Sequence, residues 1–265
     1  MDKNTELSVL TQNSFFSKRL NQVKKLIKEN PCDIYCFQEI SGNNIAIQLK
    51  KECKSKYRIS NGISTSNSFI SSKFCNLTFS RFPFVDSGEI NFENNGNGRD
   101  KFAGKSLWVE VNSQFMGGVK IYNCYLRVNF QGMYERNFIL KKILEDASKF
   151  DGLVIVCGDM NTVIPDPKHH RKLVKRWHKF SDPSLEVFGD YALKDERFLF
   201  YDTAKKYGFE EITDLNLNTW SIPFTPIEAF NLKLDWMLYK GFSKRSYKFG
   251  PWIGDHRAII GKLNL

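Results

Sequence analysis

Five short motifs place acidic, amide and imidazole side chains at wide intervals along the chain. The residues that they contribute are Asn13, Glu39, Asp159, Asn161, Asp235, Asp255 and His256. Carboxylate and amide oxygens are the hard ligands that Mg²⁺ prefers, and an imidazole can hold or transfer a proton near neutral pH. A lone carboxylate is usually a turn former or a helix cap, but so many in comparable positions indicate a site for divalent-ion and acid–base chemistry.

The motifs share a position relative to apolar, β-prone runs. Leu7–Thr11, Asp33–Phe37 and Leu153–Cys157 are predicted strands that end directly at Gln-Asn, Gln-Glu and Gly-Asp-Met-Asn. Pro251–Ile253 is another apolar run that ends abruptly, at Gly-Asp-His, and Leu234–Tyr239 and Ala258–Leu265 are further predicted strands. Strand ends are where a rigid scaffold presents side chains to a cleft, so we expect the motifs to meet there.

The remaining patterns indicate an α/β arrangement. The predicted helices are Lys18–Glu29, Asn44–Cys53, Arg136–Phe150 and Tyr201–Tyr207. Residues 57–111 hold short β-prone runs separated by turn residues, with loops expected at 64–72 and 94–98, and the Gly117-Gly118 pair predicts a turn between strands Leu107–Val111 and Val119–Leu126. No repeat or linker divides residues 1–265, which predicts a single domain.

The ordered set TQN (11–13), FQE (37–39), GDMN (158–161), LDW (234–236) and GDH (254–256) resembles the endonuclease/exonuclease/phosphatase superfamily of DNase I-like enzymes. The match spans nearly the whole chain, and five motifs in order at predicted strand ends are far more specific than any one alone. The resemblance implies a four-layer α/β sandwich, in which two packed mixed β-sheets are flanked by helices. It also implies divalent-metal-dependent hydrolysis of a phosphodiester.

The resemblance assigns a catalytic role to four residues. Asp159 would orient or deprotonate the attacking water, and Asn161 would donate a hydrogen bond to a phosphate oxygen. His256 would contact the phosphate or exchange a proton. Asp235 would fix the tautomer of that imidazole through its other ring nitrogen.

The resemblance also implies a metal site. Glu39 would be the main ligand of Mg²⁺, with Mn²⁺ as an alternative ion, and Asn13 and Asp255 would complete or extend the site. The ion would polarise a phosphoryl oxygen. The residues expected to contact the substrate are Lys105, Arg127 and Trp220.

Three positions depart from the family pattern. Tyr125 stands where many members carry a strand-end histidine; abasic-site endonucleases have tyrosine there, so it could bind phosphate, assist the leaving group, or simply pack. Gly254 replaces the usual serine of the last motif. Residues 100–106 resemble a stretch of sphingomyelinase-like members, although Lys105 on an ordinary surface explains the pattern equally well.

The net charge of +10 favours an anionic partner. Residues 165–181 form a basic insert, which could guide a polyanion into the cleft or form an amphipathic helix with solvated charges. Nucleic acid is the preferred substrate because of this charge and Tyr125. The alternatives are a phospholipase C-like sphingomyelinase or phosphoinositide phosphatase, and a catalytically silent anion-binding module, which the complete motif set disfavours.

Six cysteines lack the spacing of a zinc site, and several lie in apolar runs, which is typical of reduced, buried thiols. No signal peptide or transmembrane segment is seen. We therefore expect an intracellular protein, cytoplasmic or nuclear, that acts as a monomer.

Overall fold

The computed structural model of the chain describes residues 6–54, 57–63, 74–91, 105–113, 117–126, 133–162, 196–221 and 232–264. The strands are β1 Glu6–Asn13, β2 Ile34–Ser41, β3 Tyr57–Ile63, β4 Phe74–Ser80, β5 Phe84–Asn91, β6 Lys105–Ser113, β7 Gly117–Tyr125, β8 Leu153–Asp159, β9 Glu210–Glu211, β10 Asp235–Lys240, β11 Lys244–Ile253 and β12 His256–Asn264. The helices are α1 Leu20–Glu29, α2 Asn43–Cys53, α3 Met133–Ser148 and α4 Glu196–Lys206, with a 3₁₀ turn at Phe15–Ser17.

The strands form two mixed sheets of six. The first has the order β11-β12-β1-β2-β4-β3, and the second has the order β5-β6-β7-β8-β10-β9. In the centre of each sheet one pair is parallel, β1 with β2 and β7 with β8, and its outer neighbour β12 or β10 runs antiparallel. An antiparallel strand begins where parallel strands end, so the ends of β1, β2, β7 and β8 and the starts of β10 and β12 lie at one edge of the sandwich.

Three apolar clusters hold the layers together. One lies between the sheets and includes Val9, Cys36, Ile121 and Met237. A second packs α3 and α4 on the outer face of the second sheet, and a third packs α1 and α2 on the outer face of the first sheet. The result is the helix–sheet–sheet–helix sandwich predicted from the sequence.

Some boundaries differ from the predictions. Gly117 and Gly118 are not a turn, because they pair with Ser113 and Asn112 as the first residues of β7. The fourth helix begins at Glu196, five residues before the predicted start. The predicted loops at 64–72 and 94–98, Arg127 and the basic insert at 165–181 lie outside the described residues.

The described part of the chain contains no helix that is both long and apolar enough to cross a membrane.

Candidate active site

The edge where the central strands meet carries the residues singled out in the sequence. Asn13, Tyr125 and Asp159 are the last residues of β1, β7 and β8, and Asp235 and His256 are the first residues of β10 and β12. The register pairs Asp159 with both Tyr125 and Asp235 across adjacent strands. Strand pairing therefore brings together side chains that are more than a hundred residues apart in sequence.

His256 is buried and held by two strands. Its Nδ1 atom lies 2.9 Å from Oδ2 of Asp235, and the backbone amide of Asp235 donates a 2.9 Å hydrogen bond to Oγ1 of Thr219. Burial by itself lowers the pKa of His256, but the nearby carboxylates of Asp235, Asp159 and Asp255 outweigh it and raise that pKa well above its ordinary value. The imidazolium form is therefore favoured at neutral pH.

Asp159 is buried at the end of β8 and accepts hydrogen bonds on both oxygens. Asn13 Nδ2 donates to Oδ2 at 2.8 Å, and the backbone amide of Asn161 donates to Oδ1 at 2.9 Å. Nε2 of His256 lies 3.8 Å from Oδ2. Burial is the largest cause that raises the pKa of Asp159 to about 7, with Asp235 adding to it. A carboxyl group with such a pKa can accept a proton near neutral pH.

Asn161 adopts a left-handed backbone conformation, with φ of 50°, and its Nδ2 donates to the carbonyl of Leu126 at 2.8 Å. This bond joins the segment after β8 to the residue that follows β7. The side chain of Asn161 is buried at the site.

Glu39 lies inside β2 rather than at its end. The pairing of β2 with β4 shifts register between Phe37 and Ile40, and Glu39 adopts a left-handed φ of 57° at this irregularity. Its carboxylate accepts the Tyr125 hydroxyl on Oε1 at 2.8 Å and the Phe16 amide on Oε2 at 3.2 Å. Burial raises the pKa of Glu39 despite these bonds, so an adjacent cation would favour its ionised form.

Asp255 lies between His256 and an aromatic side chain. Trp220 Nε1 donates to Asp255 Oδ2 at 3.2 Å, and Nε2 of His256 lies 3.9 Å from Oδ1. Oδ1 is buried and has no hydrogen-bond partner among the described residues. A buried carboxylate oxygen without a donor is expensive unless a cation or another ligand satisfies it.

The donor set fits a hard divalent ion. Glu39 supplies a buried carboxylate, and the half-buried Asp255 supplies a carboxylate with one buried oxygen. Asp255 is also close enough to raise the pKa of Glu39. Asp159, Asp235 and His256 also cluster, with ligand atoms within 4.8 Å of one another. However, the Asp235–His256 contact already uses Nδ1 of the imidazole. This second cluster can therefore exchange a proton and contact a phosphate, and Glu39 with Asp255 could hold the ion.

Buried amides support the site from the space between the sheets. Gln38 Nε2 donates to Asn123 Oδ1 at 2.8 Å, and Asn123 Nδ2 donates to the carbonyl of Phe37 at 3.2 Å. Asn76 Nδ2 donates to the Asn123 carbonyl at 3.0 Å. These bonds tie β2, β4 and β7 together directly beneath Glu39 and Tyr125.

The predicted site residues fall into two groups. The contacts given above bring together the larger group, which consists of Asn13, Glu39, Tyr125, Asp159, Asn161, Asp235, Asp255, His256 and Trp220. Lys105 begins β6 opposite Tyr125 in the register, but the orientation of its side chain is not described. Four residues that contact or support the site were not predicted from the sequence: Thr219, Phe16, Gln38 and Asn123. Of these, only Gln38 lies in a motif, FQE, that could have indicated it.

This combination of a four-layer sandwich and buried acids around a histidine defines a metal-dependent phosphoesterase. The chain belongs to the Endonuclease/Exonuclease/phosphatase family, whose sequence model matches residues 10–256. Members of this family are hydrolases that act on phosphoester bonds and generally use divalent metals. A comparison with curated protein sequences gives no match.

Solved structures with similar folds share little sequence with this chain. An endonuclease/exonuclease/phosphatase from Beutenbergia cavernae has a TM-score of 0.69 at 13% identity, covering 98% of this chain and 72% of that chain. Truncated Caenorhabditis elegans TDP2 has a TM-score of 0.64 at 16% identity, covering 99% of both chains. A family protein from Leptotrichia buccalis has a TM-score of 0.65 at 14% identity, covering 98% of this chain and 100% of that chain.

Proposed function

We propose that the chain hydrolyses a phosphodiester in nucleic acid by direct attack of water. The observation that carries this proposal is the position of His256 Nε2, 3.8 Å from Asp159 Oδ2 and 3.9 Å from Asp255 Oδ1. A phosphate oxygen placed at this nitrogen would lie beside a candidate base and a candidate metal ligand. Mg²⁺ or Mn²⁺, when bound, supplies polarisation of a phosphoryl oxygen and offsets developing negative charge.

The residues around Nε2 of His256 have different roles in the proposed reaction. Asp159 orients the water and takes its proton, since its raised pKa suits a base near neutral pH. The imidazolium of His256 donates Nε2–H to a phosphate oxygen while Asp235 holds Nδ1–H. Asn161 contacts the phosphate, and Glu39, Asp255 and Asn13 hold the ion.

The net charge and the aromatic side chains support nucleic acid as the substrate. The chain carries 39 Lys and Arg against 29 Asp and Glu, an excess that attracts a polyanion. Trp220 and Tyr125 lie directly beside the acids of the site. Trp220, and also Lys105 and Arg127, are proposed to contact the nucleic acid.

A substrate panel tests this proposal. Purified protein with Mg²⁺ or Mn²⁺ is offered plasmid DNA, an abasic-site duplex, RNA, sphingomyelin vesicles and phosphoinositide vesicles. We expect turnover of a nucleic acid, and a loss of roughly 100-fold or more in Asp159→Asn and His256→Ala. Asp202→Asn, which changes an exposed acid on α4, should leave the rate unchanged. Turnover of lipid alone would mean that the substrate class is lipid rather than nucleic acid. No turnover of any substrate would overturn the proposal that the protein is an enzyme.

We further propose that the protein acts as an intracellular monomer built from a single domain with a basic insert at 165–181. Light scattering at micromolar concentration tests the monomer, and limited proteolysis tests the domain boundary. A stable dimer or two stable fragments would contradict these expectations.

A further inference from the structure

A left-handed turn follows β1 and places two phenylalanines beside the site. Phe15, Phe16 and Ser17 have φ values of 49°, 55° and 58°, which is a strained conformation for residues other than glycine. The turn is fixed by the site itself, because the amides of Phe15 and Phe16 donate to Asn13 Oδ1 at 3.0 Å and to Glu39 Oε2 at 3.2 Å. The two aromatic residues are thus attached directly to the proposed metal ligands.

Phe15 is also packed against the loop that carries the other half of the site. A Cβ atom at Gly254 would lie 2.6 Å from Cβ and Cγ of Phe15. Gly254 immediately precedes Asp255 and His256. Phe15 therefore lies between Asn13 and the loop that carries Asp255, and it leaves no room for a side chain at Gly254.

Phe16 and Lys18 complete a small surface at this rim. The rings of Phe15 and Phe16 are 5.8 Å apart, tilted by 42°, and both residues are half-buried. The exposed Lys18 places its ammonium 5.3 Å from the centre of one ring and 5.6 Å from the other. We call Phe15, Phe16 and Lys18 the aromatic rim.

We propose that the aromatic rim stacks a nucleobase that flanks the scissile phosphate, with Phe16 as a specificity-determining residue. This inference rests on the proposed nucleic-acid substrate and deepens it. Aromatic side chains stack on any base, since every base has a flat π face. Lys18 supplies a cation for the phosphate of the next nucleotide.

The same geometry disfavours the lipid headgroups considered above. A choline group would be repelled by the positive charge of Lys18, which a neutral base is not. An inositol ring is saturated and presents no flat π face. Of these ligands, only a nucleotide uses both the rings and the cation.

Two oligomers and three variants test the proposal. The substrates are oligothymidylate and an oligomer of the same length made of abasic tetrahydrofuran units. Phe16→Leu keeps apolar volume but removes the ring, Phe16→Tyr keeps the ring, and Phe138→Leu is the matched control. Phe138 is an exposed phenylalanine on α3 with Lys142 5.4 Å from its ring centre.

We expect Phe16→Leu to raise KM for oligothymidylate about tenfold with little change in kcat, in line with the strength of base stacking. Its KM for the abasic oligomer should equal that of the wild type, and Phe16→Tyr and Phe138→Leu should resemble the wild type on both. If Phe16→Leu had equal effects on the two oligomers, or no effect, the proposal that the aromatic rim stacks a nucleobase would be overturned. If the wild type cleaves neither oligomer nor any other nucleic acid, the proposed function fails and this inference fails with it. Circular dichroism of each variant shows whether it is folded.

Discussion

Nδ1 of His256 lies 2.9 Å from Oδ2 of Asp235, and both side chains are buried. This contact fixes the imidazole so that its other nitrogen faces Asp159 and Asp255. Asp235 is itself held by Thr219, whose hydroxyl accepts hydrogen bonds from the amides of Leu234 and Asp235 at 2.9 Å. The orientation of His256, the proposed phosphate contact, therefore depends on Asp235 and, through Asp235, on Thr219.

Asp235→Asn should lower kcat by roughly 100-fold to 10,000-fold while changing KM little. The amide can donate to Nδ1 where the carboxylate accepts from it, so the imidazolium and its orientation are no longer favoured. Steady-state kinetics on the best substrate of the panel measures the effect. A kcat equal to that of the wild type would show that the Asp235–His256 contact is only structural.

Tyr125→Phe should weaken the affinity for Mn²⁺ by roughly 10-fold to 100-fold, the usual effect of losing a hydrogen bond to a metal ligand. The Tyr125 hydroxyl donates to Glu39 Oε1 at 2.8 Å, and burial raises its pKa well above the ordinary value, so it stays protonated. Titration calorimetry measures the affinity. Tyr239→Phe, which loses a similar bond to Glu210, is the matched control. Unchanged affinity with a lower kcat would instead place Tyr125 on the phosphate or leaving group.

Gly254→Ser should destabilise the protein, although serine is the residue that the family resemblance predicts at this position. Gly254 has φ of 69°, a conformation that costs other residues about 1–3 kcal/mol, and its new Cβ would also clash with Phe15. Gly117→Ser shares the positive φ, 70°, but meets no atom within 4 Å. We expect urea unfolding to show a larger loss at position 254 than at position 117.

The Phe15→Gly background isolates the clash, because it removes the Cβ and ring of Phe15. Gly254→Ser should cost less there than in the wild type, by about 0.5–3 kcal/mol of coupling. Additive effects of Phe15→Gly and Gly254→Ser would mean that the two residues do not compete for this space.

Arg136→Met should lower the free energy of unfolding by about 3–5 kcal/mol, because it removes the cation that pairs with the buried carboxylate of Glu196. Arg136 on α3 donates to both oxygens of Glu196 on α4, at 2.7 and 2.8 Å, and both side chains are almost fully buried. The double variant Arg136→Met, Glu196→Leu should recover most of the loss. Lys25→Met, in an exposed pair with Glu29, should change stability by less than about 1 kcal/mol. Denaturant unfolding measures all three, and a double variant no more stable than Arg136→Met would contradict the prediction.

The sequence could predict the site residues that lie at the ends of strands. Leu153–Cys157 is apolar at every position because β8 is buried on both faces, and its abrupt polar end places Asp159 at the edge. The same reasoning located Asn13 and His256. Helix α1 was predicted from Val23, Leu26 and Ile27, which are its buried face.

Contacts that depend on backbone irregularities could not be predicted. The position of Glu39 requires a register shift in β2 and a positive φ, neither of which has a residue signature because Glu39 is not a glycine. The roles of Phe16 and Thr219 depend on how a turn and a loop pass the site. Such paths are determined by tertiary packing rather than by local periodicity.

The pairing of β1 with β12 has a consequence for how the protein is made. Glu6 lies opposite Asn264, and Thr11 lies opposite Ile259, so one neighbour of β1 is synthesised roughly 250 residues after it. Contacts of such long sequence separation form late, because a large loop must close first. A nascent chain on the ribosome therefore cannot assemble this edge of the sandwich until the strand that begins with His256 has emerged.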